Sequence, residues 1–305
     1  MKFGSVALIG KCSVGKSTFI NQVLKVKLSI TSHKVQTTRN LIRGIYNDDD
    51  SQIVIYDTPG VFKSMNLMNE EMAKATKRCL SNSDLILFLI NSTDKINHLD
   101  YSIMDQLKKL DVPVILVVNK LDLIKDEDDF YKRLGEYKSY MNFKEAVAIS
   151  ALFGTNVDLL INDIKDSLDE GDPIYDTELF TNEPVRFLVQ EYIREKVIDL
   201  TREEVPHSIA VVVDRWIDEE DITKISASII CEKENQKPIL IGRGGQMIKE
   251  IGTEARVDIE KLLDTKVFLE LFVKVREGWR NRPDLLKSYG LYQDRSKDEW
   301  YFFSN

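Results

Sequence analysis

The stretch that decides the fold is Gly10-Lys11-Cys12-Ser13-Val14-Gly15-Lys16-Ser17, followed by Thr18. It matches the phosphate-binding pattern G-x-x-x-x-G-K-[ST], and it directly follows a short apolar run at residues 6–9 that is typical of a strand. The glycines allow successive backbone N–H groups to converge on phosphate oxygens, and the following helix adds its positive end. We predict that Lys16 reaches the β- and γ-phosphates and that Ser17 gives its hydroxyl to Mg²⁺. The preceding strand disfavours the alternative, a glycine turn with an incidental lysine.

Length and composition are those of an ordinary globular protein. The 305 residues are enough for two domains, and no apolar run approaches membrane-spanning length. The N-terminal residues enter a predicted strand at once, so we expect no signal peptide and a cytoplasmic location. Cys12, Cys79 and Cys231 are odd in number and widely spaced, which favours a reducing compartment. The net charge of −8 argues against general affinity for nucleic acid, so any RNA site must be a local patch.

Residues 1–172 alternate short β-rich runs with helical patterns. This alternation predicts an α/β domain with a mostly parallel sheet and helices on both faces. Functional residues in such domains gather at the carboxyl ends of the strands. The predicted strands are residues 5–9, 41–46, 52–56, 85–90, 114–118 and 146–149.

The sequence Asp57-Thr58-Pro59-Gly60 follows the predicted strand at residues 52–56. A carboxylate at that position is placed to hold Mg²⁺ through water, opposite Ser17. Gly60 allows its amide to approach a γ-phosphate with no side chain in the way. Taken alone, these four residues are equally typical of a turn, but their place after a strand of the same sheet favours the metal role.

The sequence Asn119-Lys120-Leu121-Asp122 follows the predicted strand at residues 114–118. Asp122 can accept two hydrogen bonds from the N1–H and exocyclic amine of guanine, which adenine does not offer in that arrangement. Lys120 would lay its aliphatic stem along the base, and Asn119 would tie this loop to the phosphate loop. After the last strand, Ser150-Ala151-Leu152 can give backbone amides to the guanine carbonyl. The alternative is a polar loop without a function.

These four motifs, in this order, resemble the guanine-nucleotide motifs of translation-factor-class GTPases. Val35-Gln36-Thr37-Thr38-Arg39 resembles the first switch of Era-type GTPases. The resemblance implies that Thr38, with Thr37 as the alternative, closes on Mg²⁺ and the γ-phosphate when GTP is bound and is released after hydrolysis. Lys16, Thr38 and Gly60 are then the expected catalytic residues, with Ser17, Thr38 and Asp57 around Mg²⁺.

Two positions limit the mechanism. Val61 stands where Ras-like enzymes have a water-orienting glutamine, so we expect slow intrinsic hydrolysis of GTP to GDP. Ser13 stands where relatives often have an asparagine that helps bind potassium, so potassium dependence is left open. Residues 62–69 show no clear periodicity and are predicted to form the second switch loop. Arg39 or Lys63 would be either a solvated loop charge or an electrophile acting in cis.

The second half has a different pattern. Residues 171–176 contain a proline and polar residues that mark a boundary, and a helix is predicted from about 184 to 200. Two β-rich runs, 208–216 and 222–231, are separated by acidic residues and predict a hairpin. An apolar helical stripe that begins at Ile248 and a predicted strand at residues 267–275 follow.

A second candidate site lies between the hairpin and that stripe, at Gly242-Arg243-Gly244-Gly245. A lone G-x-x-G is as typical of a plain helix–helix turn, but the order helix–GxxG–helix–strand after a hairpin resembles a type II KH domain. In that fold the loop amides contact sugar-phosphate and the adjoining groove accepts unstacked bases. Arg243, with Lys237 and Lys249 on either side, forms the local basic patch.

A second basic cluster follows the last predicted strand, and it is either an RNA contact or a solvated helix. Trp279 would either stack on a base or pin that helix. The cluster consists of Lys274, Arg276, Arg280, Arg282 and Lys287.

Residues 241–271 and Arg202-Glu203-Glu204-Val205-Pro206-His207-Ser208 extend the resemblance to the Era family over nearly the whole chain. The resemblance implies a GTPase that binds 16S ribosomal RNA near its 3′ end, assists 30S subunit assembly, and associates loosely with the inner face of a membrane. We expect a monomer in which the nucleotide state controls RNA binding. The expected domains are a GTPase domain at 1–172, a linker at 173–182, a KH domain at 183–280 and an extension at 281–305.

Two other classes of protein remain as alternatives. A signalling or trafficking switch would keep the nucleotide site and use the second domain for protein contacts. A P-loop kinase for a small metabolite would keep the phosphate loop, but the sequence Asn119–Asp122 opposes it.

Overall fold

The structure is a computed structural model, and it describes residues 1–32, 34, 37–61 and 66–291. Helices and strands alternate through the first part of the chain. In order they are β1 Lys2–Ile9, α1 Lys16–Leu24, β2 Ile42–Asn47, β3 Ser51–Asp57, α2 Leu67–Ser81, β4 Leu85–Asn91, α3 His98–Leu107, β5 Val114–Asn119, α4 Glu127–Tyr140, β6 Glu145–Ala148 and α5 Val157–Ser167.

Six strands among these described residues form one sheet in the order β2-β3-β1-β4-β5-β6. Its inner strands are aliphatic runs that are buried along almost their whole length, as is typical of a sheet covered on both faces. All neighbouring pairs are parallel except β2 and β3, which are antiparallel. A turn at residues 48–50 joins β2 to β3, and so short a connection permits only an antiparallel pair. The predicted fold class, a mostly parallel α/β sheet, is confirmed.

The parallel order brings the predicted motifs to one edge. Strands β1, β3 and β5 end at Ile9, Asp57 and Asn119, and each of the three sequence motifs begins at or directly after that end. Because parallel strands end at the same edge of a sheet, loops far apart in the sequence meet there.

The chain divides into two compact units, residues 1–63 with 76–184 and residues 64–75 with 185–305. The segment predicted as a linker, 173–182, therefore belongs to the first unit. The prediction of a loop through residues 62–69 is wrong for 67–69, which form the first turn of α2. Met68 and Met72 are both buried at the i, i+4 spacing of a helix, a periodicity too short to detect in eight residues. Residues 62–65, including Lys63, lie outside the described residues.

The second unit has the element order of a type II KH domain. Its elements are α6 Val185–Leu200, β7 Ala210–Asp218, β8 Ile222–Cys231, α7 Lys237–Ile241, α8 Gln246–Leu263, β9 Lys266–Val275 and α9 Pro283–Ser288. Helix α6 is followed by the predicted hairpin, β7 and β8, which are antiparallel, while β9 adds to β8 in parallel. Helices α6 and α8 pack against each other on one face of this sheet.

Trp279 pins the end of the KH unit. Its side chain is 0% exposed, and its indole N–H donates a hydrogen bond of 3.0 Å to the Ser208 carbonyl. Its ring meets that of Tyr289, just after α9, edge to face at 5.7 Å. The ring therefore has no face on which a base can stack, and the structural role of Trp279 is the one that the structure supports.

Acidic side chains neutralise much of the second basic cluster. Arg280 binds Glu232 at 2.5 Å and Arg282 binds Asp284 at 2.8 Å. A third member, Lys274, lies 3.3 Å from Asp214. These pairings favour the structural interpretation of the cluster over an RNA contact. Within the described part of the chain, none of the helices combines the length and the apolar character needed to cross a bilayer.

Candidate nucleotide site and nucleic-acid groove

The predicted phosphate loop lies between β1 and α1, and α1 begins at Lys16, so the N-terminus of that helix faces the loop. Gly15 has φ 99°, and a Cβ at this position would lie 2.1 Å from the side-chain nitrogen of Asn119. A side chain at position 15 is therefore excluded by both the backbone conformation and the space. Ser13 has φ 62°, a conformation that asparagine tolerates better than serine.

Lys16 is buried beneath this loop, with 5% of its surface exposed. Its Nζ donates hydrogen bonds to the carbonyl oxygens of Gly10 at 3.2 Å and Lys11 at 3.0 Å. Burial lowers the pKa of Lys16, and the charge of Asp57 opposes this shift. Phosphate oxygens are stronger acceptors for an ammonium group than neutral carbonyls, so a bound nucleotide would be a better partner for Lys16 than the loop itself.

The side chain of Lys11 points away from the phosphate position. Its Nζ binds the fully buried carboxylate of Asp100 at 2.9 Å and lies 3.7 Å from Asp94. Lys11 can thus serve a nucleotide only through its backbone. Asp100 was not predicted from the sequence, since 89 residues separate it from Lys11 and no local pattern joins them.

Three oxygen-bearing side chains converge where Mg²⁺ is predicted. Ser17 Oγ donates to Asp57 Oδ2 at 2.7 Å and lies 3.0 Å from Thr38 Oγ1, which is 3.4 Å from the same carboxylate oxygen. Asp57 is 0% exposed, and its Oδ1 has no hydrogen-bond partner among the described residues. Burial raises the pKa of Asp57, while the charge of Lys16 and the hydroxyls of Ser17, Ser29 and Thr38 oppose the shift. Hard oxygen ligands and an orphaned carboxylate oxygen fit Mg²⁺, with Ser17, Thr38 and Asp57 as the residues that would hold it.

The rest of the Asp57–Gly60 motif packs against the phosphate loop. Thr58 is buried, and its hydroxyl donates to the Leu8 carbonyl at 2.5 Å, so this side chain anchors the motif. The amide of Val61 donates to the Gly10 carbonyl at 3.1 Å. A Cβ on Gly60 would lie 2.8 Å from the sulfur of Cys12, which shows how closely the two loops approach.

Pro59 is buried within the same motif, and Thr18 is half-buried in the first turn of α1. Arg39 has only 3% of its surface exposed. The interpretation of Arg39 as a solvated loop charge is therefore wrong, because the residue after Thr38 turns into the protein. Val35 and Gln36, part of the predicted first switch, lie outside the described residues.

Asn119 joins three loops of the predicted guanine site. Its Nδ2 donates to the Val14 carbonyl at 2.8 Å, which is the predicted tie to the phosphate loop, and its Oδ1 accepts from the Ala151 amide at 2.9 Å. Asp122 is exposed at the edge of the site, and its Oδ1 accepts the Ser150 hydroxyl at 2.5 Å. The carboxylate that would select guanine is thus oriented by the loop that follows β6.

Lys120 has the left-handed backbone conformation, with φ 66°. Its carbonyl accepts the Ser92 hydroxyl at 2.7 Å, and the next amide, that of Leu121, donates to the Ile149 carbonyl at 2.9 Å. The side chain of Leu152 is 67% exposed, and the contact of its backbone amide with the guanine carbonyl stays a prediction. Two neighbouring loops therefore hold residues 119–122 in position.

The GxxG sequence forms a tight 3₁₀ turn, Arg243–Gly245, between α7 and α8. Gly242 has φ 74°, and a Cβ there would lie 2.6 Å from the Cβ of Met247, so only glycine fits. Gly244 and Gly245 have φ 61° and 79°. Arg243 is exposed at the tip of the turn, and a contact with phosphate requires such exposure.

A groove of about 430 Å³ runs between α8 and β9, directly after the GxxG turn. Lys249 and Arg256 lie on the same wall, two helical turns apart, and both are exposed. Arg256 was not predicted from the sequence, although its spacing of seven residues from Lys249 was the available signal. Lys237 is half-buried at the start of α7 and does not line the groove. The lining residues are Ile248, Lys249, Gly252, Thr253, Arg256, Val267, Phe268, Leu269, Glu270 and Leu271.

The fold and the two sites define a P-loop GTPase domain followed by a KH domain. A family described as 50S ribosome-binding GTPase matches residues 5–120, and the KH domain family matches residues 204–280. Two solved structures are each 39% identical to the chain with a TM-score of 0.93, and each match covers 96% of this chain and 100% of the other. One is a single-residue variant of Aquifex aeolicus Era bound to GDP and AlF4-, and the second is Era with MgGDPNP and nucleotides 1506–1542 of 16S ribosomal RNA. The chain belongs to the Era family of GTPases.

Proposed function

We propose that this chain hydrolyses GTP and uses its nucleotide state to control capture of 16S ribosomal RNA near the 3′ end during 30S subunit assembly. The observation that carries the proposal is that one chain contains both candidate sites. The oxygens of Ser17, Thr38 and Asp57 converge in the first unit, and in the second unit a GxxG turn begins the helix that forms one wall of a groove. The 39% identical Era whose structure holds both MgGDPNP and 16S ribosomal RNA supports the assignment.

In the hydrolysis reaction, Lys16 would exchange its two loop carbonyls for β- and γ-phosphate oxygens and stabilise the charge that develops there. Bound Mg²⁺ would supply further positive charge at the same oxygens. Thr38 would close over the γ-phosphate, and Gly60 would offer its amide. Val61 carries no group that can orient water, so the attacking water relies on these backbone and hydroxyl contacts and turnover is slow.

RNA capture would use the second unit. The amides and Arg243 of the GxxG turn would hold the sugar-phosphate backbone, with Lys249 and Arg256 along the helical wall. The apolar floor at Ile248 and Leu271 would accept unstacked bases. Because acidic residues outnumber basic ones in this half, affinity is confined to the groove.

We further propose a cytoplasmic monomer that makes peripheral contact with the inner face of a membrane. The support is the family resemblance, together with the fact that Cys12, Cys79 and Cys231 form no disulfide with one another. We assign residues 173–182 as the connection between the GTPase and KH domains, and residues 281–305 as an extension of the KH domain.

The decisive experiment measures binding of an RNA with the sequence of 16S nucleotides 1506–1542 to the wild type and to Gly244→Asp. Gly244 has φ 61°, which strains any side chain placed there, but outside the adjoining residues no heavy atom lies within 4 Å of the point where a Cβ would stand. Aspartate therefore meets no clash and brings a negative charge against the phosphates. We expect at least a tenfold loss of affinity. The control is Gly244→Asn, which has the same shape and backbone preference without the charge and should lose less than about threefold.

The alternative, a signalling or trafficking switch, would leave RNA binding absent or equal in all three proteins. Equal affinity for the RNA with GTP analogue and with GDP would refute the nucleotide control while leaving the RNA site in place.

A further inference from the structure

The segment that leaves the GTPase domain is bound to the sheet by the side chain of Gln52. Gln52, in β3, is 0% exposed. Its Oε1 accepts the amides of Ile174 and Tyr175 at 2.9 and 3.0 Å, and its Nε2 donates to the Tyr175 carbonyl at 2.9 Å and to Asn47 Oδ1 at 2.8 Å. All four hydrogen-bonding positions of this amide are therefore used, three of them on the departing chain.

The same segment covers the free edge of β2. The amide of Ile45 donates to the Phe180 carbonyl at 2.9 Å, and Asn47 Nδ2 donates to the Leu179 carbonyl at 3.0 Å. The Thr181 hydroxyl donates to the Arg43 carbonyl at 2.6 Å. An edge strand normally exposes such groups, and here a loop satisfies them. We call residues 174–183 the docked strap.

Arg43, in β2, contacts both ends of the docked strap. Its guanidinium donates to the Tyr175 hydroxyl at 2.9 Å and lies 5.5 Å from the centre of the Tyr56 ring. Its amide donates to Glu183 Oε1 at 3.2 Å. One side chain and its backbone thus hold the start of the docked strap at Tyr175 and its end at Glu183.

The two strands beneath the docked strap are the ones that lead into the nucleotide-sensing loops. Arg43 lies five residues after Thr38, and β2 pairs with β3 so that Ile42 is opposite Asp57 and Arg43 is opposite Tyr56. Thr38 and Asp57 are two of the three residues expected to hold Mg²⁺. A displacement of either would therefore reach the docked strap through a short, hydrogen-bonded path.

We infer that the docked strap is the element through which the nucleotide state controls RNA capture, and that Arg43, Gln52 and Tyr175 are its coupling residues. Helix α6, the first element of the RNA-binding unit, begins at Val185, two residues after the docked strap ends. When Thr38 closes on GTP, the resulting displacement of β2 also displaces the docked strap, because the two are joined by hydrogen bonds. A flexible linker without such bonds would not move with β2. This inference rests on the nucleotide control proposed above.

The test uses the full-length double variant Tyr175→Phe/Thr181→Val, which keeps side-chain shape. It removes two hydroxyl contacts to Arg43 and the acceptor for the Glu183 amide, all three of them contacts of the docked strap. Both residues are half-buried, so the sheet core is untouched. The Kd for the 16S 1506–1542 RNA is measured with Mg²⁺ and either GDP or GDPNP. The ratio of the RNA Kd with GDP to the RNA Kd with GDPNP should fall at least fivefold toward one. The affinities of the variant for GDP and GDPNP themselves should stay within twofold of the wild-type values.

The matched control is Glu178→Gln, an exposed change in the same segment, which should keep the wild-type ratio. Tyr175→Phe alone provides a milder variant should the double variant melt early. A double variant that keeps the wild-type ratio, or that loses RNA affinity equally in both states, would overturn the coupling role while nucleotide control stands. A wild-type ratio of one would instead remove the nucleotide control itself, and the inference with it.

Discussion

Replacing Asn119 with alanine should separate the three loops of the nucleotide site. The change removes the donor to the Val14 carbonyl and the acceptor for the Ala151 amide, and both of these residues are 1% exposed. An orphaned buried polar group costs about 1–3 kcal/mol, so two cost about 2–6 kcal/mol before water enters the space left by the side chain. We take about 3 kcal/mol as the loss in the nucleotide-binding conformation, which corresponds to roughly 150-fold in affinity.

The assay is equilibrium titration with a fluorescent GDP in the presence of Mg²⁺. Asn142→Ala is the control, because Asn142 is exposed and a change there should alter affinity by less than about twofold. If Asn119→Ala binds GDP within fivefold of wild type, the two hydrogen bonds do not organise the site and the reasoning is refuted. An equal loss in Asn142→Ala would show that the measured effect is not specific to the loop tie.

Three further substitutions test separate parts of the structure. In EDTA and without nucleotide, Asp57→Asn should have a higher melting temperature than the wild type at neutral pH. Burial raises the pKa of Asp57, so the protonated side chain stabilises the wild-type fold at acidic pH and this stabilisation is lost as the pH rises through that pKa. The uncharged asparagine does not lose it. A pH-dependent melt of both proteins from acidic to neutral pH checks this, and parallel curves would contradict it. Gly60→Ala should slow single-turnover GTP hydrolysis by about tenfold or more, because the added Cβ would lie 2.8 Å from the sulfur of Cys12. Its affinity for GDP should stay within threefold of wild type. An unchanged rate would show that the loop adjusts freely. Trp279→Phe should lower the free energy of unfolding, measured by denaturant titration, by about 2–3 kcal/mol, because the hydrogen bond to the Ser208 carbonyl is lost. The affinity for RNA should be unchanged. A selective loss of RNA affinity would instead support the stacking role.

The features that were predicted from sequence are those encoded by consecutive residues. The phosphate loop needs two glycines, a lysine and a hydroxyl at set spacing, and residues 10–17 supply them in the expected position between a strand and a helix. Aliphatic runs of strand length predicted the sheet, and the two runs around acidic residues 218–221 predicted the hairpin. Local patterns of this kind can be recognised in isolation because backbone geometry over a few residues depends mainly on those residues.

Other features depended on which distant residues meet. Gln52 and Tyr175 are 123 positions apart, Lys11 and Asp100 are 89 apart, and no periodicity in either segment indicates the pairing. The same holds for the burial of Arg39, which resembles any loop charge until its surroundings are known.

The amino-acid sequence by itself determined the phosphate loop and the GxxG turn and predicted a guanine-selecting motif at residues 119–122, since each is a short run with its own stereochemistry. Only the tertiary structure decided that the apparent linker is a docked strap on β2 and β3 and that Arg256 shares a groove wall with Lys249. The physical reason is that hydrogen bonds and burial depend on distances in space, which are set when the whole chain packs.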